Sequence, residues 1–401
     1  MELTEGVEKV RPVLARKREW GILGTQGKKG GEVATMGQER FKSNTRDSFF
    51  GDFLYEQVIP KDHFLVQLKQ VVPWQRFTYK LVKYYRGRAK LGRPPYDPAV
   101  ILKMLLVSYL YDVSERQVED LCNLYLPAKY LLDLGVDEKP PDHSTLSAFK
   151  KRILENGKLA AFERMLQDII RLALEKGIVF GEVQIVDSTH SVANVNVRKD
   201  KRRQGKGQAA RDGGARWGVK RSYKKRNGQE EKVYFYGYKA HVSLNAQTGL
   251  ITSMVCTAGN APDGHQLPKL LAKDLAQGLP VQIVTADRGY DDSDNHYLLW
   301  DKGLYSAICL NDYRTEKKDP NKAIWLQLQE TSQYQEGLKE RYKIERKFGE
   351  AKGGHGLGRC RYVGLLRYAI QCFLTAIALN LKRLVMLLTG VPFKGRARAL
   401  A

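Results

Sequence analysis

The chain has 401 residues, of which 43% are hydrophobic, so it is long enough for a buried core and for two domains. Its 67 Lys and Arg against 44 Asp and Glu give a formal net charge of +23, which favours a polyanionic partner: DNA, RNA or an anionic membrane surface. The first residues lack the apolar segment of a signal peptide, and the 5 cysteines and 7 histidines have neither zinc-ligand nor disulfide spacing, which is typical of a reduced cytosolic protein.

The N-terminal part of the chain is predicted to be a flexible basic arm followed by helices. Residues 1–53 are polar and weakly periodic, whereas residues 54–178 have the apolar periodicity of a helical domain. Asp97 is a predicted N-cap with Pro98 at the first helical position, and Ser114 opens a Ser-x-x-Gln capping box that starts the next helix. These two helices and their short turn fit a DNA-binding helix-turn-helix and an ordinary helical hairpin equally well.

Residues 179–390 change to a pattern of strands and helices. "KVYFYGYKAHVSLN" and "LITSMVCTA" are predicted strands joined at "AQTG", and further strands then alternate with helices. Two helices end the pattern, at about 335–352 and 366–389, and the second is predicted to be a core helix and not a membrane span. The order predicts a mixed α/β sheet flanked by helices, followed by a basic tail at 391–401.

A strongly basic segment, residues 198–226, lies between the predicted strands "EVQIVDST" and "KVYFYGYKAHVSLN". It holds thirteen Lys and Arg against two Asp and is too polar and Gly-rich to fold alone. A solvated loop and a loop that orders on a nucleic-acid backbone both fit this composition, and the charge density favours the second. The candidate contacts are Arg202, Arg203, Lys224, Lys225 and Arg226.

Two aspartates follow apolar strands of the predicted sheet. Asp187 ends "QIVD" and Asp287 ends "QIVTAD". Ligands of α/β sheets gather at the carboxyl ends of strands, and burying an unpaired carboxylate is costly, so the two matched aspartates predict a shared site.

The segment "RYKIERKFGEAKGGHGLGR" is predicted to be a helix that carries both cations and acids. At 3.6 residues per turn, Arg341, Glu345, Phe348 and Lys352 share one narrow stripe, with Phe348 placed to pack on the core. Glu350 falls on the opposite face and is predicted to point to solvent.

Two strand-end aspartates and a helical glutamate suit a pair of Mg²⁺ ions, for which Mn²⁺ can substitute, because such ions prefer oxygen ligands and clamp phosphoryl oxygens. Arg341 and Lys352 are then candidate phosphate ligands. The alternative is an internal ion pair between Glu345 and Arg341, four residues apart.

Three further residues are candidates for a place in or near the predicted site. Asp263 in "GNAPDGHQLPKLL" rivals Asp287 as a site residue, but it precedes a helix with Gln266 three residues on, which predicts an N-cap. Lys239 and His241 in "GYKAH" are candidates for approaching the site, although a histidine at the edge of the core fits equally well.

Several of these motifs occur together in one known family. "IVDSTHSVANV", "TADRGYD" and "RYKIERKFGEAKGGHGLGRCRYVGL", with the helical "GRPPYDPAVILKMLL" upstream, resemble the DDE transposases of bacterial insertion sequences. The sequence is most similar to the insertion-sequence five family, within the insertion-sequence four superfamily. The resemblance covers about residues 54–388.

The resemblance implies an α/β RNase H-like catalytic domain preceded by an all-α, helix-turn-helix-like domain. It further implies that Asp187, Asp287 and Glu345 are the catalytic, metal-binding triad. The family signature Tyr-x2-Arg-x3-Glu-x6-Lys matches at Arg341, Glu345 and Lys352, but Leu338 stands where the family has Tyr.

The implied function is cut-and-paste DNA transposition that uses Mg²⁺. We expect binding of terminal inverted repeats through the helical domain and the basic segment, with water as the first nucleophile and the freed 3′-hydroxyl as the second. A homodimer on double-stranded DNA is expected, in the cytoplasm at the nucleoid, without a membrane or a small-molecule substrate. The alternatives are a catalytically silent DNA-binding derivative, an RNase H-like nuclease without strand transfer and, more distantly, an RNA-binding protein.

Overall fold

The computed structural model describes residues 41, 49–85, 94–157, 159–224, 230–311 and 321–394. Most of the predicted N-terminal arm and most of the predicted basic tail lie outside these ranges. The described ranges contain fifteen α-helices and six strands, arranged as a group of helices followed by one mixed sheet.

Eight helices of the described residues precede the first strand. Their caps follow the sequence, since the Asp97 carboxylate accepts a 2.7 Å hydrogen bond from the Ala99 amide, and Ser114 forms the predicted capping box with Gln117. The helices are α1 Phe49–Val58, α2 Phe64–Val71, α3 Trp74–Val82, α4 Pro98–Leu110, α5 Glu115–Leu124, α6 Leu126–Leu131, α7 His143–Gly157 and α8 Ala160–Glu175.

The sheet and its helices follow from residue 183 onward. The strands are β1 Val183–Val192, β2 Arg216–Lys224, β3 Glu230–Asn245, β4 Ile251–Ala258, β5 Ile283–Ala286 and β6 Tyr305–Ile308. The helices are α9 Val197–Gln204, α10 Leu267–Ala276, α11 Ser293–Asp301, α12 Lys322–Leu328, α13 Ser332–Glu340, α14 Tyr342–His355 and α15 Leu365–Thr389, with short 3₁₀ turns at Gly264–Gln266 and Arg288–Tyr290.

The sheet is mixed, as predicted. Its path is β2-β3-β1-β5-β6, and β4 pairs with β3; the pairs that involve β3 are antiparallel, whereas β1, β5 and β6 run parallel. The first half of β3 pairs with β2, and its second half lies between β1 and β4. Helices α10 and α13 pack against the sheet.

Helix α15 joins the helical part and the sheet into one core. It packs on α2, α4, α8 and β4, and apolar side chains from all of these belong to a single buried cluster. Its length and composition would suit a membrane span, yet 67% of its most apolar window is buried inside the protein. Helix α4 has apolar residues on all sides, and every residue from Val100 to Leu110 is accordingly buried.

A polar network ties the helical part to the segment between α14 and α15. Lys150 donates to the Tyr362 hydroxyl at 2.8 Å and pairs with Glu115, which also accepts from Tyr362 at 2.6 Å. Arg361 donates to the Asp112 carboxylate at 2.8 Å. These charges are mutually satisfied, so their burial between the two parts is tolerated.

The basic segment 198–226 is not simply a loop, and this part of the prediction is wrong. It contains helix α9 and strand β2, and its two acidic residues hold them in place. The buried Asp200 carboxylate accepts from the Arg211 amide at 2.9 Å and from Gln204 at 3.3 Å. Asp212, fully buried, accepts from the Tyr238 hydroxyl and the Gly364 amide. The bonds supply tertiary order that composition cannot reveal.

The predicted helix at 335–352 is two helices that meet at Arg341. Gly337 on α13 lies so close to the sheet that an added Cβ would be 2.5 Å from the Ala307 Cβ and 3.1 Å from Ile283. Only glycine permits this approach of α13 to the sheet. Arg341, at the end of α13, lies close enough to Asp187 and Asp287 to lower the pKa of both.

We predict that Gly337→Ala lowers the free energy of unfolding by about 1–3 kcal/mol, because the methyl group overpacks the contact with Ala307. Gly349→Ala on α14 is the matched control, since its Cβ would meet nothing within 4 Å and alanine favours a helix. Urea unfolding of both variants measures the difference. Equal stability of the two variants would contradict the close packing of α13.

Candidate active site

The structure brings Asp187 and Asp287 together where the parallel pairing of β1 and β5 ends. Asp287 follows the last residue of β5, but Asp187 lies within β1, which continues to Val192, so the prediction that Asp187 ends its strand is wrong. Their strands are parallel neighbours, with Val186 paired to Ala286, so each aspartate is the next residue along its chain. The Asp187 carboxylate accepts from the Ser188 amide at 2.7 Å, and that of Asp287 from the Gly289 amide at 2.9 Å. We refer to Asp187 and Asp287 as the aspartate pair.

The negative charge of the aspartate pair is not balanced by the neighbouring cations. Burial and the neighbouring Asp287 carboxylate raise the pKa of Asp187 to about 7, against the lowering effect of Arg341. Burial also raises the pKa of Asp287, to which Asp263 adds. The two carboxylates therefore resist being ionised together, and a cation placed between them would relieve that cost.

Asp263 is a third carboxylate at this site, and its predicted capping role is wrong. It stands at the start of the 3₁₀ turn, but its side chain makes no capping hydrogen bond. Instead it accepts from the Lys239 ammonium at 2.9 Å and lies 3.5 Å from His241 Nδ1. Strand β3 supplies a charged donor, and a charge-assisted bond is stronger than a cap to a neutral amide.

The loops that carry Asp263 and Asp287 are fixed against each other. A Cβ added to Gly289 would lie 3.0 Å from Asp287 Oδ1 and 3.7 Å from Asp263 Oδ2, so both carboxylates border this glycine. The Asn295 amide donates to the carbonyls of Gly264 at 3.2 Å and Tyr290 at 2.9 Å. The Tyr290 hydroxyl is buried, has no hydrogen-bond partner among the described residues, and has its pKa raised by burial and by all three aspartates.

Lys239 and His241 both approach the site, as expected of the "GYKAH" strand. Lys239 counters the raised pKa of Asp287. His241 is fully buried, its Nε2 lies 2.8 Å from Thr257 Oγ1, and burial lowers its pKa to about 4, so it is neutral at physiological pH. His241 therefore lies at the edge of the core and next to Asp263, and its role in the site stays a prediction.

Glu345 is not brought to the aspartate pair. Its side chain is 60% exposed and accepts from Arg341 at 3.2 Å, which is the ion-pair alternative suggested by the sequence. Among the described residues, no three His, Cys, Asp or Glu side chains converge closely enough to hold a metal ion. The predicted triad is therefore unassembled, because the i,i+4 partner holds Glu345 on the surface of α14.

Arg341 and Lys352, the candidate phosphate ligands, lie close enough to the aspartate pair to interact with it electrostatically, and their role as phosphate ligands stays a prediction. Arg341 lowers the pKa of both members of the aspartate pair. Burial and the neighbouring Lys220 lower the pKa of Lys352, whereas the charge of Asp187 raises it. Burial, Lys352, Lys220 and Lys239 together lower the pKa of His190 to about 4. We call Lys220, Lys239, Arg341 and Lys352 the cationic rim.

Lys220 was missed by the sequence interpretation, although it lies in the basic segment. A strand prediction for β2 would have identified Lys220, but the glycines and charges of the basic segment hide the alternating pattern of a strand. Of the candidates named there, Arg202 and Arg203 are exposed on α9, and Lys224 ends β2. Lys225 and Arg226 lie outside the described residues.

Two other predictions about the "RYKIERKFGEAKGGHGLGR" segment have different outcomes. Phe348 packs against the core, as expected. Glu350 does not point freely to solvent: it accepts from Lys347 at 3.1 Å and pairs with Lys382 of α15 at 2.8 Å. Burial would raise the pKa of Glu350, but these two cations lower it to about 2. Leu338 also packs on the core.

Comparison with known protein families gives two matches. The model of the Transposase DDE domain matches residues 180–381, which is half of the chain. The model described as Transposase domain (DUF772) matches residues 53–152, within the helical part.

Two solved structures are similar to parts of the chain at low identity. One is a piggyBac transposase synaptic complex with hairpin DNA, 12% identical, with a TM-score of 0.27 over 68% of this chain and 53% of that chain. The other is a Mos1 transposase paired-end complex with the left transposon end, 10% identical, with a TM-score of 0.18 over 67% and 81%. The chain thus spans about half the length of the piggyBac chain. These TM-scores are too low to bear on fold or function.

We predict that Asp187→Asn stabilises the metal-free protein, and more so at pH 8 than at pH 5. The pKa of Asp187 is raised to about 7, so its contribution to stability is fully present below about pH 4 and is lost as the pH rises through 7. Asparagine has no charge to bury, so the gain at pH 8 should exceed that at pH 5 by roughly 2 kcal/mol.

The measurement is urea unfolding at both pH values in the presence of a chelator. Asp301→Asn is the control, because Asp301 is exposed at the end of α11. A gain for Asp187→Asn that does not depend on pH would show that the aspartate pair is not electrostatically strained.

Proposed function

We propose that this chain, which belongs to the Transposase DDE domain family, is a DNA transposase that cleaves and joins DNA strands with the help of divalent metal ions. The observation that carries the proposal is the aspartate pair, held side by side where the parallel pairing of β1 and β5 ends and bordered by the cationic rim. Carboxylates for a cation and cations for phosphates, at one edge of one sheet, are what phosphoryl transfer on DNA requires.

The residues present fit a divalent cation. Asp187 and Asp287 offer carboxylate oxygens that are electrostatically strained without one, and Asp263 adds a third carboxylate nearby. Mg²⁺ or Mn²⁺, when bound, would polarise the scissile phosphate and neutralise charge that develops on its oxygens. The protein's own contribution is to fix the two aspartates through β1, β5 and the amide of Gly289.

The cationic rim is suited to hold the DNA backbone next to the aspartate pair. Arg341 presents a planar guanidinium that matches phosphate oxygens, and Lys239 is oriented by its bond to Asp263. Lys220 and Lys352 lie close enough to each other to lower the pKa of Lys352, so an anion between them would be favoured.

Glu345 completes the site in this proposal when DNA binds. Its bond to Arg341 is an exposed i,i+4 pair, a type worth only about 0.3–0.5 kcal/mol. A DNA phosphate that takes Arg341 would release the glutamate, which could then turn toward the aspartate pair. The triad named from the sequence is thus proposed as a DNA-bound arrangement.

The remaining parts of the proposal concern architecture and partners. An RNase H-like catalytic fold is supported by the order β4-β3-β1-β5-β6, in which antiparallel strands are followed by parallel ones. The helical part is proposed to bind the terminal inverted repeats, helped by the basic segment, as a homodimer on double-stranded DNA. The proposed location is the cytoplasm, at the nucleoid.

The second candidate is a catalytically silent DNA-binding derivative. The observations that favour it are the exposed Glu345 and the apolar Leu338, which packs on the core where the family signature has a tyrosine. The presence of both members of the aspartate pair, at an electrostatic cost, favours the active enzyme.

We predict that Asp287→Asn and Glu345→Gln each reduce strand cleavage and strand transfer at least 100-fold while leaving DNA binding unchanged. The substrate is duplex DNA that carries the inverted repeats flanking the gene, with Mg²⁺ or Mn²⁺. Glu336→Gln on the exposed surface of α13 is the control for Glu345→Gln and should retain activity.

Each failure has a distinct meaning. Cleavage that survives Glu345→Gln would remove Glu345 from the proposed triad. A wild-type protein that binds the ends but never cuts them would favour the silent derivative, and cutting without joining would favour a nuclease.

A further inference from the structure

A cavity of about 260 Å³ lies beneath helix α9, away from the aspartate pair. Its walls are α9 and the paired strands β2 and β3, and its lining includes Lys201, Gln204, Arg216, Trp217 and Tyr236. The volume falls just below the roughly 300–1,000 Å³ of typical ligand pockets, which suits a flat group the size of a nucleobase. The mechanism proposed above leaves this cavity unused.

The cavity is bordered by exposed aromatic rings. Trp217 on β2 is 46% exposed and pairs across the strands with Tyr236, with ring centroids 5.5 Å apart. Val219 and Tyr234 form the next pair on the same face, and they are 46% and 57% exposed. We call these four side chains, three of which are aromatic, the aromatic face. Such a continuous exposed apolar patch is unusual unless something binds it.

Cations surround the aromatic face. Lys201 lies 5.2 Å from the centre of the Trp217 ring, and the exposed Arg216 is held by hydrogen bonds to the carbonyls of Gly213 and Ala215. Lys199 and Arg202 are also exposed on α9. Aromatic rings flanked by cations are the combination that binds single-stranded nucleic acid, because rings stack on bases while cations hold the backbone.

The cavity is preformed. Its floor is tied by the buried Asp200 carboxylate, which accepts from Gln204 and the Arg211 amide, and the Tyr236 hydroxyl donates to the Asp212 carbonyl at 3.0 Å. The two acidic residues of the basic segment thus hold the walls in place. A ligand that enters meets an ordered site and pays little to arrange it.

The cavity and the cationic rim share strand β2. Trp217 lines the cavity, and Lys220 of the cationic rim lies three residues further on, at the bulge between Val219 and Arg221. Among the described strands, β2 is at the edge of the sheet. A DNA strand that contacts Lys220 can therefore reach the cavity along this edge strand.

We propose that the cavity binds an unpaired base of a DNA strand, stacked on Trp217 with its backbone held by Lys201 and Arg216. The proposal rests on the proposed function, in which DNA is the substrate. It adds a site that recognises DNA whose strands are separated near the position of cleavage. DNA with an unpaired segment at the element end would then bind more tightly than the same DNA fully paired.

The test compares Trp217→Ala with Trp300→Ala. Trp300 on α11 is also 46% exposed, so it is a matched control for the loss of a surface tryptophan. Binding is measured by fluorescence anisotropy on element-end duplexes that are fully paired or carry a short unpaired segment. Trp217→Ala should weaken binding of the partly unpaired DNA about tenfold or more, and Trp217→Phe should keep most of it. Binding of the paired duplex and the salt dependence of binding should stay unchanged, because no phosphate contact is lost.

A base analogue gives an independent readout. 2-Aminopurine placed in the unpaired segment should lose fluorescence on binding wild type, Trp217→Phe and Trp300→Ala, but not Trp217→Ala. The proposal is overturned if Trp217→Ala behaves as Trp300→Ala, or if it weakens paired and unpaired DNA equally; in both cases the proposed function stands. If the wild type binds neither DNA, the proposed function fails together with this site.

Discussion

The candidate site depends on the meeting of two carboxylates where the pairing of two parallel strands ends. Asp187 and Asp287 are placed side by side by the register of β1 and β5, and among the described residues neither has a cation bonded to it directly. Burying like charges is costly, and burial together with the Asp287 charge raises the pKa of Asp187 to about 7. Such strain persists only where the surrounding structure enforces it, and Gly289 and Asn295 fix the loops that do so.

Acidic side chains organise the fold of this basic chain. The net charge of +23 leaves many cations on the surface, whereas several acids accept hydrogen bonds that join separate elements. Asp200 and Asp212 hold the basic segment, Glu350 joins α14 to α15, and Asp263 orients Lys239. The acids thus position the cations that remain available for phosphates. This arrangement explains how a segment with thirteen cations folds into a helix, a strand and a cavity.

The local features of the fold could be predicted from sequence, since they depend on neighbours in the chain. The caps at Asp97 and Ser114 and the position of Asp287 directly after β5 are of this kind. Partners that are distant in sequence could not be predicted. Helical phase predicted that Glu350 points to solvent, because it contains no information about the packing of α15 against α14. Local spacing predicted that Asp263 is a cap, because it contains no information about Lys239 on a distant strand. The sequence left open whether Glu345 joins the aspartate pair or forms an ion pair with Arg341, and the structure shows the ion pair.

The most direct measurement of the central claim is calorimetric titration of Mn²⁺ into the DNA-free protein at pH 7, in buffers of different ionisation enthalpy. If the aspartate pair is a cation site, the wild type binds Mn²⁺ and releases a fraction of a proton, because Asp187 with a pKa of about 7 is partly protonated there. Asp287→Asn should then lose most of the binding. Binding that is absent, or equal in wild type and Asp287→Asn, would contradict the account.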